Sequence, residues 1–264
     1  TVRKDLIDRC PNLKIIGRGG VGMDNIDVEY ARSKGINVIN TPAASSSSVA
    51  ELVFAHLYGG VRFLHESNRN MPLEGDSNFK KLKKAYAKGV ELRGKTIGIV
   101  GFGRIGRETA KIALGIGMKV LAYDKFLKEA SITLNFSHEK SVEFNIKISK
   151  FNYLLENSDF ISLHVPAQKE FIIDKKQFEL MKDGVGIINA ARGGVLNEVE
   201  LISALDSGKV SFAGLDTFEN EPKPEIKLLM HPNISLTPHI GAATNEAQDR
   251  IGKELADQIS NILN

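Results

Sequence analysis

KTIGIVGFGRIG, residues 95–106, is the stretch that decides the fold of this chain. The apolar run 97–100 predicts a buried parallel strand, and the pattern Gly101-x-Gly103-x-x-Gly106 follows it where a helical pattern begins. In such a turn the first glycine permits the tight bend, the second lets backbone amides approach a pyrophosphate, and the third lets the helix pack closely on the strand. The stretch therefore predicts a strand, turn and helix that bind a dinucleotide through the helix N-terminus.

A carboxylate follows the next predicted strand, residues 119–123. Asp124 lies about 20 residues beyond the glycine turn, where dinucleotide-binding folds carry the acidic residue that binds the ribose hydroxyls. Its charge repels the 2′-phosphate of NADP, whereas the neighbouring Lys125 attracts it. We therefore expect NAD as the cofactor.

The composition is that of a globular protein with one large or two ordinary domains. The chain has 264 residues, of which 42% are hydrophobic and 25% are charged. Its 35 basic and 32 acidic residues leave a net charge of +3, which favours neither a nucleic acid nor a membrane as a partner. No apolar run approaches the ~18 residues of a membrane span. Cys10 is the single cysteine, so an internal disulfide is excluded and a cytoplasmic location is expected.

Strand and helix patterns alternate through most of the chain. Beyond Asp124, residues 125–149 are polar and predict an irregular surface excursion before a helix resumes near Phe151. Four further strands are expected, at residues 160–163, 185–188, 210–213 and 234–236. Helical patterns lie between most of them, and a last helix is expected near 244–262. This alternation predicts an α/β fold with a Rossmann-type, doubly wound parallel sheet.

The first forty residues predict a second, smaller α/β unit. A helix and a short strand lead into the loop 17–22, whose amides would either bind an anion or serve as a flexible connector. Asn40-Thr41-Pro42 then stops the next strand and marks a domain boundary. We expect residues 42–239 to form the NAD-binding domain. Residues 1–41 with 240–264 are expected to form a flavodoxin-like substrate domain.

Three residues are expected to meet at the carboxyl ends of the strands, where such sheets bind their ligands. They are Arg192, Asp216 and His239. Histidine suits the removal of a hydroxyl proton at neutral pH, Glu221 would orient the imidazole, and Arg192 offers a fork for a substrate carboxylate. Taken singly, these are also a capping histidine, a loop glutamate and a surface arginine. The other five histidines lack the spacing of metal ligands, so no metal is expected.

These motifs together resemble the D-isomer-specific 2-hydroxyacid dehydrogenases along nearly the whole chain. The resemblance is carried by residues 17–27, 40–42, 101–106, 189–194, 214–216 and 238–242. It implies that Arg192, Glu221 and His239 are catalytic. It also implies contacts with the cofactor by Val21, Gly101, Gly103, Arg104, Ile105, Gly106, Asp124, Val165, Ala190, Arg192, Asp216, His239, Gly241 and Ala242. The implied substrate contacts are Arg18, Gly19, Gly20, Val21 and Arg192.

The resemblance is strongest to the members that oxidise 3-phosphoglycerate to 3-phosphohydroxypyruvate, the entry to serine synthesis. It implies a phosphorylated 2-hydroxyacid as substrate and a homodimer or larger assembly. A dehydrogenase or reductase that acts on another 2-hydroxyacid or its 2-oxo acid, such as glycerate or hydroxypyruvate, glyoxylate, or lactate, is the alternative among enzymes. An NAD-sensing binding protein is the alternative from another class, because a fold does not determine a function.

A lysine-rich segment, with Lys80, Lys81, Lys83, Lys84 and Lys88, is typical of a solvated face. By resemblance, Lys84 lies near a position that reaches into the neighbouring subunit's site, where it would bind the substrate phosphate. Family members carry further residues before the point that matches Thr1, so the substrate domain is expected to be incomplete. The chain ends just after the last helix, so no appended regulatory domain is expected.

Overall fold

The computed structural model describes residues 1–137 and 139–263. Their contacts divide the chain into a small unit, residues 1–49 with 241–264, and a large unit, residues 50–240. The helices are α1 Lys4–Asp8, α2 Val28–Ser33, α3 Ser46–Val61, α4 Leu64–Glu74, α5 Phe79–Ala85, α6 Arg104–Gly115, α7 Phe151–Asn157, α8 Lys175–Leu180, α9 Glu198–Asp206, α10 Ile226–Leu229 and α11 Asn245–Leu263. The strands are β1 Ile15–Arg18, β2 Asn37–Asn40, β3 Thr96–Val100, β4 Lys119–Tyr123, β5 Glu129–Asn135, β6 Ser141–Lys147, β7 Phe160–Leu163, β8 Val185–Asn189, β9 Val210–Leu215 and β10 Ile234–Leu236.

The large unit is built on a six-stranded parallel sheet in the order β10-β9-β8-β7-β3-β4. β3 pairs with β4 on one side and with β7 on the other, so the chain reverses its direction of travel across the sheet at β3. The gap between the carboxyl ends of β3 and β7 is therefore the point where such sheets bind ligands. The prediction of a Rossmann-type α/β fold is confirmed, and so are the four strands expected after residue 150.

The central strands are mostly apolar and are buried along nearly their whole length. Every residue of β7 and of β8 is buried, and so are four of the five residues of β3. Parallel strands show this pattern because helices cover both faces of the sheet. Leu154 of α7, Phe178 of α8 and Leu201 of α9 belong to the same buried cluster as Ile161 and Ile187. This core holds the strand ends in place.

The prediction of an irregular excursion over residues 125–149 was wrong. β5 and β6 form an antiparallel hairpin, paired from Glu129 with Lys147 to Asn135 with Ser141. Apolar residues alternate with polar ones along β5, and this period of two puts the side chains of Ala130 and Ile132 on one buried face. The polar character of the segment concealed that alternation. His138, within the predicted excursion, lies outside the described residues.

The small unit contains the parallel pair β1 and β2, in register from Ile15 with Asn37 to Arg18 with Asn40. Two side chains of α11 form hydrogen bonds to other parts of the small unit. Arg250 donates to the Ala44 carbonyl at 2.8 Å, and Gln258 donates to the Asn40 carbonyl at 3.0 Å. Asn264 lies outside the described residues. The assignment of substrate to residues 1–41 with 240–264, and of cofactor to 42–239, stays a prediction.

The lysine-rich segment forms α5 and the residues after it. Lys80, Lys81, Lys83, Lys84 and Lys88 are all exposed, and Leu82 is the residue of α5 that is buried. This is the arrangement expected of a solvated face. Within the described part of the chain, none of the helices has the length and apolar character that crossing a bilayer requires.

Candidate active site

The glycine turn joins β3 to α6 with very little space around it. Gly101 has a φ of +93°, and a Cβ there would lie 2.5 Å from the His164 carbonyl oxygen. A Cβ on Gly106 would overlap the Gly101 carbonyl, so only glycine lets α6 begin this close to the strand. Gly103, in contrast, has nothing within 4 Å of its Cβ position. Open space therefore lies over the N-terminus of the twelve-residue helix α6, where a diphosphate is favoured.

Asp124 has a structural role beside its predicted role in ribose binding. Its Oδ2 accepts from the Phe102 amide and its Oδ1 from the Phe126 amide, both at 2.9 Å. The carboxylate thus ties the glycine turn to the end of β4. Because two carboxylate oxygens offer about four acceptor sites, the ribose hydroxyls can still be accommodated.

His239 and Glu221 form a hydrogen-bonded pair. His239 Nδ1 lies 2.9 Å from Glu221 Oε2, and Glu221 Oε1 accepts from the Phe218 amide at 3.0 Å. An ionised carboxylate only accepts hydrogen bonds, so Nδ1 carries the hydrogen and Nε2 is the basic nitrogen of the neutral ring. Both side chains remain accessible, with 49% of His239 and 37% of Glu221 exposed. This arrangement is that of an oriented general base.

Asp216 holds the segment that carries His239. The carboxyl group is 1% exposed, and its Oδ1 accepts from the Thr237 hydroxyl at 2.6 Å and from the Ile240 amide at 2.8 Å. His239 has a φ of +56°, a left-handed conformation that costs a residue other than glycine about 1–3 kcal/mol. The hydrogen bonds on either side of His239 offset that cost. Sequence reasoning assigned no role to Thr237, although it directly precedes Pro238-His239.

Arg192 follows β8, next to the strand that leads to Asp216. Asn189 shapes this turn: its Nδ2 donates to the Arg192 carbonyl at 2.9 Å, and its Oδ1 accepts from the Ala191 amide at 3.1 Å. A Cβ on Gly193 would overlap the Phe218 carbonyl, so glycine is required where this turn meets the loop that carries Glu221. The structure thus places Arg192, Asp216 and His239 after three adjacent strands, β8, β9 and β10.

The other predicted cofactor residues of the large unit also follow strand ends. Arg104 and Ile105 open α6, Val165 lies just beyond β7, and Ala190 directly follows β8. Val165 Cγ1 is 3.0 Å from the Cβ position of Gly101, which places it against the glycine turn. Arg104, Ile105 and Val165 therefore follow the two strands on either side of the gap between β3 and β7, and Ala190 follows the next strand, β8.

The remaining predicted residues belong to the small unit. Gly20, with a φ of +132°, donates its amide to Thr41 Oγ1 at 2.7 Å and accepts from the Thr41 amide. Asn40 Nδ2 donates to the Val21 carbonyl at 2.8 Å, and Arg18 donates to the Gly19 carbonyl at 3.0 Å. The loop 17–22 is therefore tied to the end of β2. Beyond Gly241, the Ala242 carbonyl accepts from Gln248 at 3.2 Å.

Two further observations concern ionisable groups. Burial lowers the pKa of His164 to about 3, so its ring is neutral beside Thr109 and Ser162. In the described part of the chain, no three His, Cys, Asp or Glu side chains are grouped as a metal site requires. His138, one of the histidines considered for metal binding, lies outside that part.

The family of the chain follows from its similarity to known proteins. The sequence profile of the D-isomer specific 2-hydroxyacid dehydrogenase NAD binding domain matches residues 54–241. The chain belongs to the D-isomer-specific 2-hydroxyacid dehydrogenases. The match includes the glycine turn, Asp124, Arg192, Glu221 and His239.

Individual relatives in this family carry several substrate names. D-3-phosphoglycerate dehydrogenase of Archaeoglobus fulgidus is 43% identical over 264 residues, which cover 99% of this chain and 47% of that protein. Hydroxypyruvate reductase of Thermotoga maritima is 44% identical over 263 residues, covering 98% of this chain and 80% of that protein. D-lactate dehydrogenase from Aquifex aeolicus, solved with NAD and lactic acid, has a TM-score of 0.79 at 32% identity, over 99% of this chain and 80% of that one. The chain therefore spans about half the length of the first of these relatives.

Glu198, at the start of α9, is hydrogen-bonded to the loop that carries Glu221. Its amide donates to Glu219 Oε1 and the Glu219 amide donates to Glu198 Oε1, each at 2.8 Å. Burial raises the pKa of Glu198 to about 7; the Glu219 hydrogen bond lowers it, and the charges of Glu219, Glu225 and Glu221 raise it. An acid with a raised pKa binds its proton more tightly in the folded state. Stability is therefore lost as the pH rises from about 4.5 to about 7.

The Glu198→Gln variant should lose less stability over this range than the wild type. Glutamine keeps the acceptor for the Glu219 amide and cannot ionise. We expect the fall in Tm between pH 5 and pH 8 to shrink by about 2–4 °C. Thermal unfolding at both pH values measures this, and Glu200→Gln, with the same charge change on the same helix, is the matched control. An unchanged fall in Tm would contradict the assignment.

Proposed function

We propose that this chain forms part of an NAD-dependent dehydrogenase that oxidises D-3-phosphoglycerate to 3-phosphohydroxypyruvate, the reaction that opens serine synthesis. The observation that carries the proposal is the pair His239 and Glu221, held 2.9 Å apart. His239 follows β10 and Glu221 lies in the loop after β9, which is the neighbour of β8, the strand that leads to Arg192. A protein that only sensed NAD would have no need of such an oriented base.

The large unit provides the groups that fit NAD. The open space over Gly103 and the N-terminus of α6 suit the diphosphate, and the Asp124 carboxylate suits the ribose hydroxyls. When bound, NAD⁺ accepts the hydride that leaves the substrate carbon. Val165, Ala190 and Asp216 are also proposed to contact NAD, as are Val21, Gly241 and Ala242.

The chain's own residues would handle the proton and the substrate charge. His239 Nε2 takes the hydroxyl proton as the carbonyl double bond forms, while Glu221 faces the resulting imidazolium from the Nδ1 side. Arg192 binds the substrate carboxylate through its planar fork and stabilises charge on the neighbouring oxygen. In the reverse direction, His239 returns the proton to the carbonyl oxygen. Arg18, Gly19, Gly20 and Val21 are also proposed to bind the substrate.

We also propose a homodimer and a cytoplasmic location. Apolar side chains are unusually exposed between residues 58 and 90, including Leu64, Leu73 and Phe79, which are 63%, 81% and 56% exposed. Large apolar side chains that stay exposed are candidates for a protein–protein interface. Cys10 is a free, exposed thiol, which suits a reducing compartment.

The choice of substrate is tested by NADH oxidation with 3-phosphohydroxypyruvate, hydroxypyruvate, glyoxylate and pyruvate. We expect the highest kcat/KM for 3-phosphohydroxypyruvate. A preference for hydroxypyruvate would instead support the role named for the Thermotoga maritima relative. NADH binding with no turnover of any of the four would support an NAD sensor.

Lys84 is proposed to bind the substrate phosphate across the dimer interface. It is exposed on α5, within the segment that carries the exposed apolar side chains. The Lys84→Ala variant should raise KM for 3-phosphohydroxypyruvate about tenfold, equivalent to ~1.4 kcal/mol, and leave KM for hydroxypyruvate unchanged. Steady-state kinetics on both substrates measure this, with Lys83→Ala as the control. An equal effect on both substrates would place Lys84 on the solvated face.

A further inference from the structure

His56 is a buried histidine of α3 that joins this helix to the last strand of the sheet. Its side chain is 3% exposed. Nδ1 lies 2.8 Å from the Ser235 hydroxyl oxygen and Nε2 lies 3.0 Å from the Thr237 hydroxyl oxygen. A Cβ on Gly214 would lie 2.6 Å from the Cβ of His56, so the glycine in β9 leaves room for the histidine. Both ring nitrogens are therefore engaged in a site that fits the ring closely.

The hydrogen bonds around His56 have a defined direction. The Thr237 hydroxyl donates its single proton to Asp216 Oδ1, so it can only accept from the imidazole. Nε2 therefore carries a hydrogen. Because burial disfavours the charged ring, Nδ1 is then the acceptor for the Ser235 hydroxyl. Burial lowers the pKa of His56, the charge of Asp216 raises it, and the charge of His65 lowers it.

The same chain of hydrogen bonds ends at the backbone of His239. Asp216 Oδ1, which accepts from Thr237, also accepts from the amide that joins His239 to Ile240. A threonine hydroxyl can rotate about its C–O bond. The N–H of His56 occupies one lone pair of the Thr237 hydroxyl oxygen. This contact favours the rotation of the hydroxyl in which its proton points to Asp216.

We propose that His56 is a positioning residue for His239, acting through Thr237 and Asp216. The proposal rests on the proposed role of His239 as the acid–base group. His56 itself contacts neither substrate nor reacting atoms. Its function is to keep the hydrogen bond from Thr237 to the Asp216 carboxylate in place. Asp216 then holds the left-handed backbone of His239 in one conformation through the Ile240 amide.

The first test compares His56→Leu with His56→Gln. Leucine fills most of the space and removes both hydrogen bonds, so kcat should fall about tenfold, with KM for the 2-oxo acid changed less than about twofold. Glutamine places an N–H near the position of Nε2 and should restore kcat to within about threefold of wild type. His65→Gln, a histidine whose Nε2 lies 3.1 Å from the Pro232 carbonyl oxygen, is the control and should leave kcat unchanged.

The second test is a double-mutant cycle with Thr237→Val. This variant removes the hydroxyl that connects His56 to Asp216, and kcat should again fall about tenfold, whereas Thr237→Ser should keep it. In the Thr237→Val background, His56→Leu should lower kcat by less than about twofold more, because the connection is already broken. Additive losses, or equal losses for His56→Leu and His56→Gln, would show that His56 acts through packing alone.

Failure of this inference is distinguishable from failure of the proposed function. If His56→Leu does not fold, Thr237→Val with wild-type kcat still overturns the proposal. His239→Asn is assayed in parallel. Full turnover in His239→Asn would contradict both the acid–base assignment and this inference. If His239→Asn loses turnover but the losses of the His56 and Thr237 variants are additive, only this inference is overturned.

Discussion

We expect the His239→Asn variant to turn over about 10²–10⁴-fold more slowly than the wild type, which is the usual contribution of a positioned acid–base group. Asparagine keeps a polar side chain on the same backbone but has no nitrogen that takes up a proton near neutral pH. Because the glycine turn and Asp124 are untouched, the Kd for NADH should change little. Single-turnover NADH oxidation and fluorescence titration of NADH measure the two quantities separately.

Glu221→Gln is the companion variant. It keeps the shape of the side chain and removes the negative charge that faces Nδ1 of His239 at 2.9 Å. The charged imidazole then loses its counter-charge, so the pH dependence of kcat/KM should shift. Near-normal turnover in His239→Asn, or an unchanged pH profile in Glu221→Gln, would contradict the assigned roles.

The Asp124→Ala variant is expected to bind NADH more weakly and to discriminate less against NADPH. A charged hydrogen bond to a ribose hydroxyl contributes about 1.5–3 kcal/mol, so the Kd for NADH should rise by roughly 10- to 100-fold. The variant also frees the amides of Phe102 and Phe126, and this adds disorder at the glycine turn to the loss of the ribose contact.

Asp124→Asn separates these two effects, because its amide oxygen still accepts from one backbone amide while the charge is gone. We expect it to relax the discrimination against NADPH with a smaller rise in the Kd for NADH. Fluorescence titration of both cofactors measures the outcome. A wild type that already prefers NADPH would show that Lys125 outweighs Asp124, and Lys125→Ala would then restore the preference for NADH.

Much of the large unit could be predicted because its signals are local. The strand before Gly101 is a short apolar run, and the glycines that follow it are required by the close approach of backbone atoms at Gly101 and Gly106. The positions of Arg192, Asp216 and His239 followed from one rule, that ligands bind at the carboxyl ends of parallel strands. That rule needs only the order of elements along the chain.

The interactions that were missed depend on contacts between distant segments. Nothing near His56 in the sequence indicates that it meets Thr237, 181 residues later. The requirement for glycine at 193 comes from the Phe218 carbonyl, which the chain brings there only through the sheet. The hairpin was missed for a different reason: its alternation of apolar residues is weak against a polar background.

The hairpin of β5 and β6 also offers a place to engineer the protein. Asn135 and Ser141 face each other at its far end as a paired position of the ladder, so their backbones stand only about 5 Å apart. A fluorescent protein whose termini lie close together can be joined between these two residues without pulling the strands apart. The inner end of the hairpin begins five residues after Asp124. Such a fusion would place a light-emitting reporter on the element that follows Asp124, the carboxylate predicted to bind the ribose of NAD.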